Sequence, residues 1–179
     1  ELVEKHRQQI DAFLVDKLAD IRFLSRNLGY ENLSNETFLQ STLASLQRNY
    51  RPVFVDLGVI NGAGQQVAYA GPFKLTEAVY ADTDWFQQAM SKEYVISDVF
   101  LGLRRLPHFI IAVKNTFNGE PWILRATIDF VAFNDLAGMD NFSSVAKSAW
   151  ITDDSSDVFC VPMASVIHGF FYNADAFAE

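Results

Sequence analysis

The chain has 179 residues, half of them hydrophobic and a fifth charged, which suits one domain or two small ones with a real core and excludes a disordered chain. Its net charge of −8, from 22 acidic against 14 basic residues, repels phosphate backbones and anionic bilayers, so no nucleic acid and no membrane surface is expected as a partner of its bulk surface. A single cysteine, Cys160, excludes an internal disulfide framework and any multi-cysteine metal site, and 16 phenylalanines point to aromatic-rich packing.

Apolar residues at Val3, Ile10, Phe13, Leu14, Leu18, Ile21, Leu24 and Leu28 fall at helical spacing, which predicts one long amphipathic helix from Leu2 to Leu28. It would span roughly 40 Å, long for a domain of this size, either as a core helix or as one that continues from a membrane segment. The chain opens inside this pattern, at Glu1-Leu2-Val3-Glu4, as a segment cut from a longer parent would. No run approaches the ~18 consecutive apolar residues of a bilayer span. After the break at Gly29-Tyr30, Ser34 or Asn35 can cap a second helix to about Asn49, with Phe38, Leu39, Leu43 and Leu46 inward and Pro52 as its stop.

The texture then changes to strands. Val53–Ile60 is followed by the turn Asn61-Gly62-Ala63-Gly64 and a returning strand Val67–Ala70. Helical material is predicted from Leu75 to about Met90, then strands at Tyr94–Phe100, His108–Asn115 and Pro121–Asp129. The last two are joined through Phe117-Asn118-Gly119-Glu120, whose Asn-Gly pair favours a tight hairpin. The fold class that follows is α+β, a five-stranded antiparallel sheet with the long helix across one face. Beyond Asp129, Phe130–Leu136 reads as a connecting helix, and Ala149–Thr152 and Val158–Val161 as short strands.

No GxSxG elbow, phosphate loop, HExxH or GxGxxG motif is present, so neither a cofactor nor a catalytic apparatus is expected. Alternation along Trp122–Asp129 puts Trp122, Leu124, Ala126 and Ile128 on a face toward the long helix, and Ile123, Arg125, Thr127 and Asp129 on the other. Arg125 and Asp129 then lie roughly 13 Å apart along the strand, a separation suited to the two ends of a small polar or zwitterionic ligand. A solvated charged face would show the same pattern. Asp98, His108 and Asp129 are the one combination that suggests acid–base or metal chemistry; a histidine beside a proline is more often structural, and no ligand spacing of the HxxxH or CxxC kind supports a metal.

The strings FVDLGVINGAGQQVAYAGPF, DWFQQAM, ISDVFLGLRRLPHFIIAV and WILRATIDF resemble the extracytoplasmic double Cache (tandem PAS-like) sensor domains of bacterial two-component histidine kinases. The resemblance covers the chain to about Asp135. It implies a periplasmic or extracellular domain of an inner-membrane protein, held between flanking transmembrane helices, with residues 1–50 as helices, 51–135 as a membrane-distal PAS-like ligand-binding lobe, and 136–179 as a short or incomplete membrane-proximal lobe. It further implies a small-molecule ligand of the amino acid, amine or small carboxylate class, and a parallel homodimer through the N-terminal helix. Among the residues that contact amino acids in such domains, Trp85 matches the tryptophan, Asp129 the aspartate, Tyr80 the first tyrosine, and Phe100 stands near the second. Thr83 occupies the place of the carboxylate-binding arginine, which leaves Arg104, Arg105 or Arg125 to supply a positive charge. The expected ligand-binding set is therefore Tyr80, Trp85, Asp98, Phe100, Arg104, His108, Arg125 and Asp129. A chemoreceptor or a cyclic-dinucleotide enzyme as parent, a dimerisation-only PAS-like module, and a small hydrolase using Asp98, His108 and Asp129 are the alternatives.

Overall fold

The computed structural model describes residues 2–50, 53–73, 75, 78–100, 108–129, 149–152 and 158–161. Three helices open the chain: α1 (Leu2–Asn27), α2 (Gly29–Leu33) and α3 (Glu36–Tyr50). Gly29 ends α1 because it sits in the left-handed region, with φ of 71°. The following segment then winds into α2, where the sequence predicts only a break. Asn35 caps α3, its side-chain oxygen accepting the Phe38 amide at 3.1 Å.

Strands β1 (Phe54–Asn61), β2 (Gln66–Ala70), β3 (Tyr94–Ile96), β4 (His108–Phe117) and β5 (Glu120–Asp129) form one antiparallel sheet in the order β2-β1-β5-β4-β3. The expected α+β class and five-stranded sheet are both present. The β4–β5 hairpin closes through Asn118 and Gly119, both at positive φ (51° and 84°), as a two-residue turn matched to strand twist requires. A separate antiparallel pair, β6 (Ala149–Thr152) with β7 (Val158–Val161), takes up the two short strands expected late in the chain. The expected helix at Phe130–Leu136 and most of a membrane-proximal lobe over 136–179 lie outside the described residues.

The sheet has two dissimilar faces. On one, Leu57, Val59, Phe109, Ile111, Leu124 and Ala126 pack against Ile10, Leu18 and Ile21 of α1, Leu33 of α2 and Leu39 and Leu43 of α3. On the other, Ile60, Ile110, Ala112 and Ile123 meet Trp85, Phe86 and Ala89 of α4 (Asp84–Ser91). The alternation expected for β5 is thus realised, with its Trp122–Ile128 row under the helices.

Two boundaries differ from the sequence expectation. The helix predicted from Leu75 is confined to Asp84–Ser91, because the backbone before it is taken by the edge of β2: the Gln66 amide donates to Ala78 O (3.0 Å) and the Tyr80 amide to Gly64 O (2.8 Å). The strand predicted over Tyr94–Phe100 stops at Ile96. Ser97 still bonds Ile110 through both its backbone and its hydroxyl, Asp98 and Val99 make an excursion, and Phe100 returns to bridge His108.

Candidate functional site

The α4-facing side of the sheet can be read row by row from the register. Asp56 of β1 lies beside Thr127 of β5, which lies beside Ile110 of β4; the next row is Gly58, Arg125 and Ala112; His108 stands opposite Asp129. Arg125 is therefore flanked by the two smallest side chains of this face, which leaves room for a guanidinium to lie flat on the sheet. A β-bulge between Phe54 and Asp56 sets this arrangement. Two residues apart, they would otherwise share a face; the bulge sends Phe54 into the helix-side core and Asp56 to the α4 side.

Arg125 and Asp56 form a buried ion pair, Nη2 to Oδ1 at 3.2 Å. Arg125 Nη1 also donates to the Tyr80 hydroxyl (2.9 Å), which donates in turn to Gln66 Oε1 (3.3 Å). The amide nitrogen of Gln66 donates to the carbonyl of Leu75. On the other side the Tyr69 hydroxyl donates to Asp56 Oδ2 (3.1 Å) and accepts the Phe73 amide (3.4 Å). Asp56 is 0% exposed and Arg125 5%. The network thus binds β1, β5 and β2 to the segment that leads into α4. Removing one member of such a pair typically costs about 3–5 kcal/mol, because the other charge is left buried.

Trp85 and Tyr80 roof the cluster, their rings 5.1 Å apart, with Phe86 edge-on to Trp85 at 6.0 Å. The Tyr80 ring also stacks on the Arg125 guanidinium at 5.0 Å. Two buried polar atoms on this face have no hydrogen-bond partner, Arg125 Nε and Thr127 Oγ1. Such atoms are uncommon in folded proteins, and a bound water or ligand is one way of satisfying them.

Gly58 makes the cluster possible. A Cβ there would stand 2.8 Å from Gln66 Oε1 and 3.3 Å from Arg125 Nη2. Gln66 is anchored at both ends of its amide and cannot swing aside without losing Tyr80 or Leu75. Gly58→Ala is expected to lower stability by about 1–3 kcal/mol in urea denaturation, as overpacking does, and Gln66→Ala in the same chain should recover part of the loss.

Burial first, and then the neighbouring Asp56 carboxylate, push the Tyr69 hydroxyl well above the ordinary phenol value of 10.0. The neutral form is the one that the fold selects, so its contribution is complete below about pH 10 and is lost as pH rises toward the raised value, where the unfolded chain ionises first. The unfolding free energy from urea denaturation should fall as pH rises above about 10, by at most about 1.4 kcal/mol per pH unit for this residue, and Tyr69→Phe should remove that part of the slope.

Of the eight residues expected from sequence, the structure gathers Tyr80, Trp85 and Arg125 in one cluster. His108 is buried, with its ring 4.5 Å from Phe100, and faces Asp129 across the ladder. Asp98 is exposed in the excursion after β3. Arg104 lies outside the described residues. Asp56, Gln66 and Tyr69 were not expected. A carboxylate inside the apolar run FVDLGVI, which must find a partner once buried, was the available signal.

No protein-family model matches the sequence, and no curated protein matches it. Solved structures do. The ligand-binding domain of the Campylobacter jejuni chemoreceptor Tlp3, in complex with 4-methylisoleucine, superposes with a TM-score of 0.60 at 13% identity, over 89% of this chain and 66% of that one. The extracellular domain of the putative histidine kinase vpHK1S-Z8 gives 0.58 at 12%, over 74% and 56%. The ligand-binding domain of the Pseudomonas fluorescens chemoreceptor CtaA, in complex with L-serine, gives 0.59 at 12%, over 89% and 68%. The chain thus spans between about half and two thirds of the length of these domains. At such identities the likeness is one of fold, and the fold is Cache-like, that of extracytoplasmic sensor domains of chemoreceptors and histidine kinases.

Proposed function

We propose that the chain is the extracytoplasmic ligand-sensing domain of a membrane-bound histidine kinase, binding a small polar molecule between the sheet and α4. The observation that carries the reading is the Asp56–Arg125–Tyr80 cluster under the aromatic roof of Trp85, in a fold shared with sensory domains. Asp129, half-buried at the end of β5 and opposite His108, is the residue we assign to an amine or hydroxyl of the ligand, with Phe100 beside His108. Asp98, exposed after β3, is assigned to the rim, and Arg104 stays a proposed ligand contact. Tlp3 and CtaA make a chemoreceptor parent the second reading, and their bound amino acids support a ligand of the amino acid, amine or small carboxylate class.

In this reading α4 closes on the ligand and moves α1. Glu93, two residues past α4, accepts from Arg26 (2.6 Å) and pairs with Arg22 (3.5 Å), and Arg22 stacks on Tyr94 at 4.3 Å. Exposed pairs of this kind contribute about 0–1 kcal/mol each, so they steer the helix rather than lock it. The outer side of α1 exposes Val15 (67%) and Phe23 (63%), with Ala19 between them and Ala12 one turn before, a stripe suited to pairing with a second copy in a parallel dimer.

The test is a thermal-shift screen against amino acids, amines, short carboxylates and sugars, repeated with Asp129→Ala. A ligand at about 100 times its Kd stabilises by about 2.7 kcal/mol, a rise of roughly 5–10 °C at this size. A hit that disappears in Asp129→Ala is the expected result. Absence of any hit from every class would sink the small-ligand reading in favour of a domain that receives a protein partner.

A further inference from the structure

Arg125 is the described cation on the sheet face of the proposed pocket, yet its charge is already matched. Nη2 meets Asp56 Oδ1 at 3.2 Å and Nη1 donates to Tyr80 at 2.9 Å. Asp56 is fully buried, and its second oxygen is held by Tyr69. A ligand carboxylate received as a fork needs two parallel N–H donors. Over Arg125 it would have to share a terminal nitrogen with Asp56 and stand against a like charge in a water-poor site. Displacing Asp56 would leave a buried carboxylate without its cation. Of the five guanidinium N–H donors, one on each terminal nitrogen is taken by Asp56 and Tyr80, and Nε is the nitrogen with no partner; the Thr127 hydroxyl, two residues along the same face, is likewise buried and unpartnered.

We infer that Asp56 is the residue that sets ligand charge at this site. By masking Arg125 it makes the floor over β1 and β5 neutral, so the ligand group seated there is an uncharged acceptor, a hydroxyl or amide carbonyl, and not a carboxylate. The inference rests on the sensor reading and narrows it. It separates the two roles open to Arg125: the residue cross-links strands and offers its unpartnered Nε–H, and any carboxylate of the ligand is held elsewhere.

The matched probes are leucine and leucinamide, which differ only in carboxylate against amide, titrated calorimetrically into the wild type, Asp56→Asn, and the pair variant Asp56→Leu/Arg125→Met. Unmasking Arg125 in Asp56→Asn is expected to raise affinity for leucine relative to leucinamide by about tenfold. The pair variant, which keeps the volume but removes both charges and the Nε donor, is expected to weaken leucinamide by about fivefold relative to leucine, because only the amide presents the neutral acceptor that the floor receives. A folded Asp56→Asn with an unchanged leucine-to-leucinamide ratio, or one that binds neither probe, overturns the inference. So does a tenfold loss of leucine but not leucinamide in the pair variant, since Arg125 would then be the carboxylate receptor and the sensor reading would stand. If Asp56→Asn does not fold, the wild-type and pair-variant arms decide between the same two outcomes. The sensor reading itself stands or falls on the thermal-shift screen.

Discussion

Asp56→Ala is expected to destabilise the domain by about 3–5 kcal/mol, among the largest effects any single substitution in it would have. The reason is the asymmetry of a buried ion pair. With Asp56 gone, the Arg125 guanidinium keeps only the Tyr80 hydroxyl and a ring face, and stays buried with no compensating charge. Tyr69 loses its acceptor at the same time. For a chain of this length such a loss corresponds to a fall in melting temperature of about 6–20 °C. Asp56→Leu with Arg125→Met should by contrast lose much less, because the pair's own desolvation is relieved together with its attraction and only the Tyr69 hydroxyl loses its acceptor. If Asp56→Ala melts within a degree or two of the wild type, the carboxylate is not paired in solution, and the masking of Arg125 fails with it.

The fold was legible because the local patterns were strong. Period 3.6 along Ile10–Leu28, an Asn-capped α3, alternation along Trp122–Asp129 and the Asn118-Gly119 turn each called for the element that forms. The helix start at Leu75 was misjudged because the backbone of Ala78 and Tyr80 bonds to Gln66 and Gly64 at the edge of β2, a tertiary demand that no window of sequence contains. The candidate cluster was legible in part. Strand alternation alone turned Arg125 to the α4 side, and the motif order pointed to Tyr80 and Trp85. Asp56 stayed hidden because a bulge one residue away shifts the parity of β1, so a simple count along FVDLGVI pairs it with Phe54. Gln66 and Tyr69 were hidden for a different reason: their partners lie on the adjoining β1 and on the segment beyond β2, and only the register brings them to Asp56 and Tyr80.

Trp85 is where core and pocket must be told apart, and the size of the expected effect makes the distinction measurable. The side chain is 7% exposed and contacts Tyr80 and Phe86, so Trp85→Ala should cost about 3–5 kcal/mol whether or not a ligand ever touches it. That variant alone decides nothing about function. Trp85→Phe keeps an aromatic ring against both neighbours and should cost only about 1–2 kcal/mol, the share due to lost ring volume. If the indole is a pocket wall, Trp85→Phe should shrink the ligand-induced rise in melting temperature while the unliganded protein melts within a few degrees of the wild type. If it is only core, the ligand-induced rise should stay as large as in the wild type. Fluorescence gives an independent reading. The chain has three tryptophans, and Trp122 is sealed on the helix side of the sheet, so a ligand that seats under α4 should shift emission in the wild type and lose most of that shift in Trp85→Phe. A full emission shift that survives the substitution would move the binding event away from α4, and with it the role assigned to the Asp56–Arg125–Tyr80 cluster.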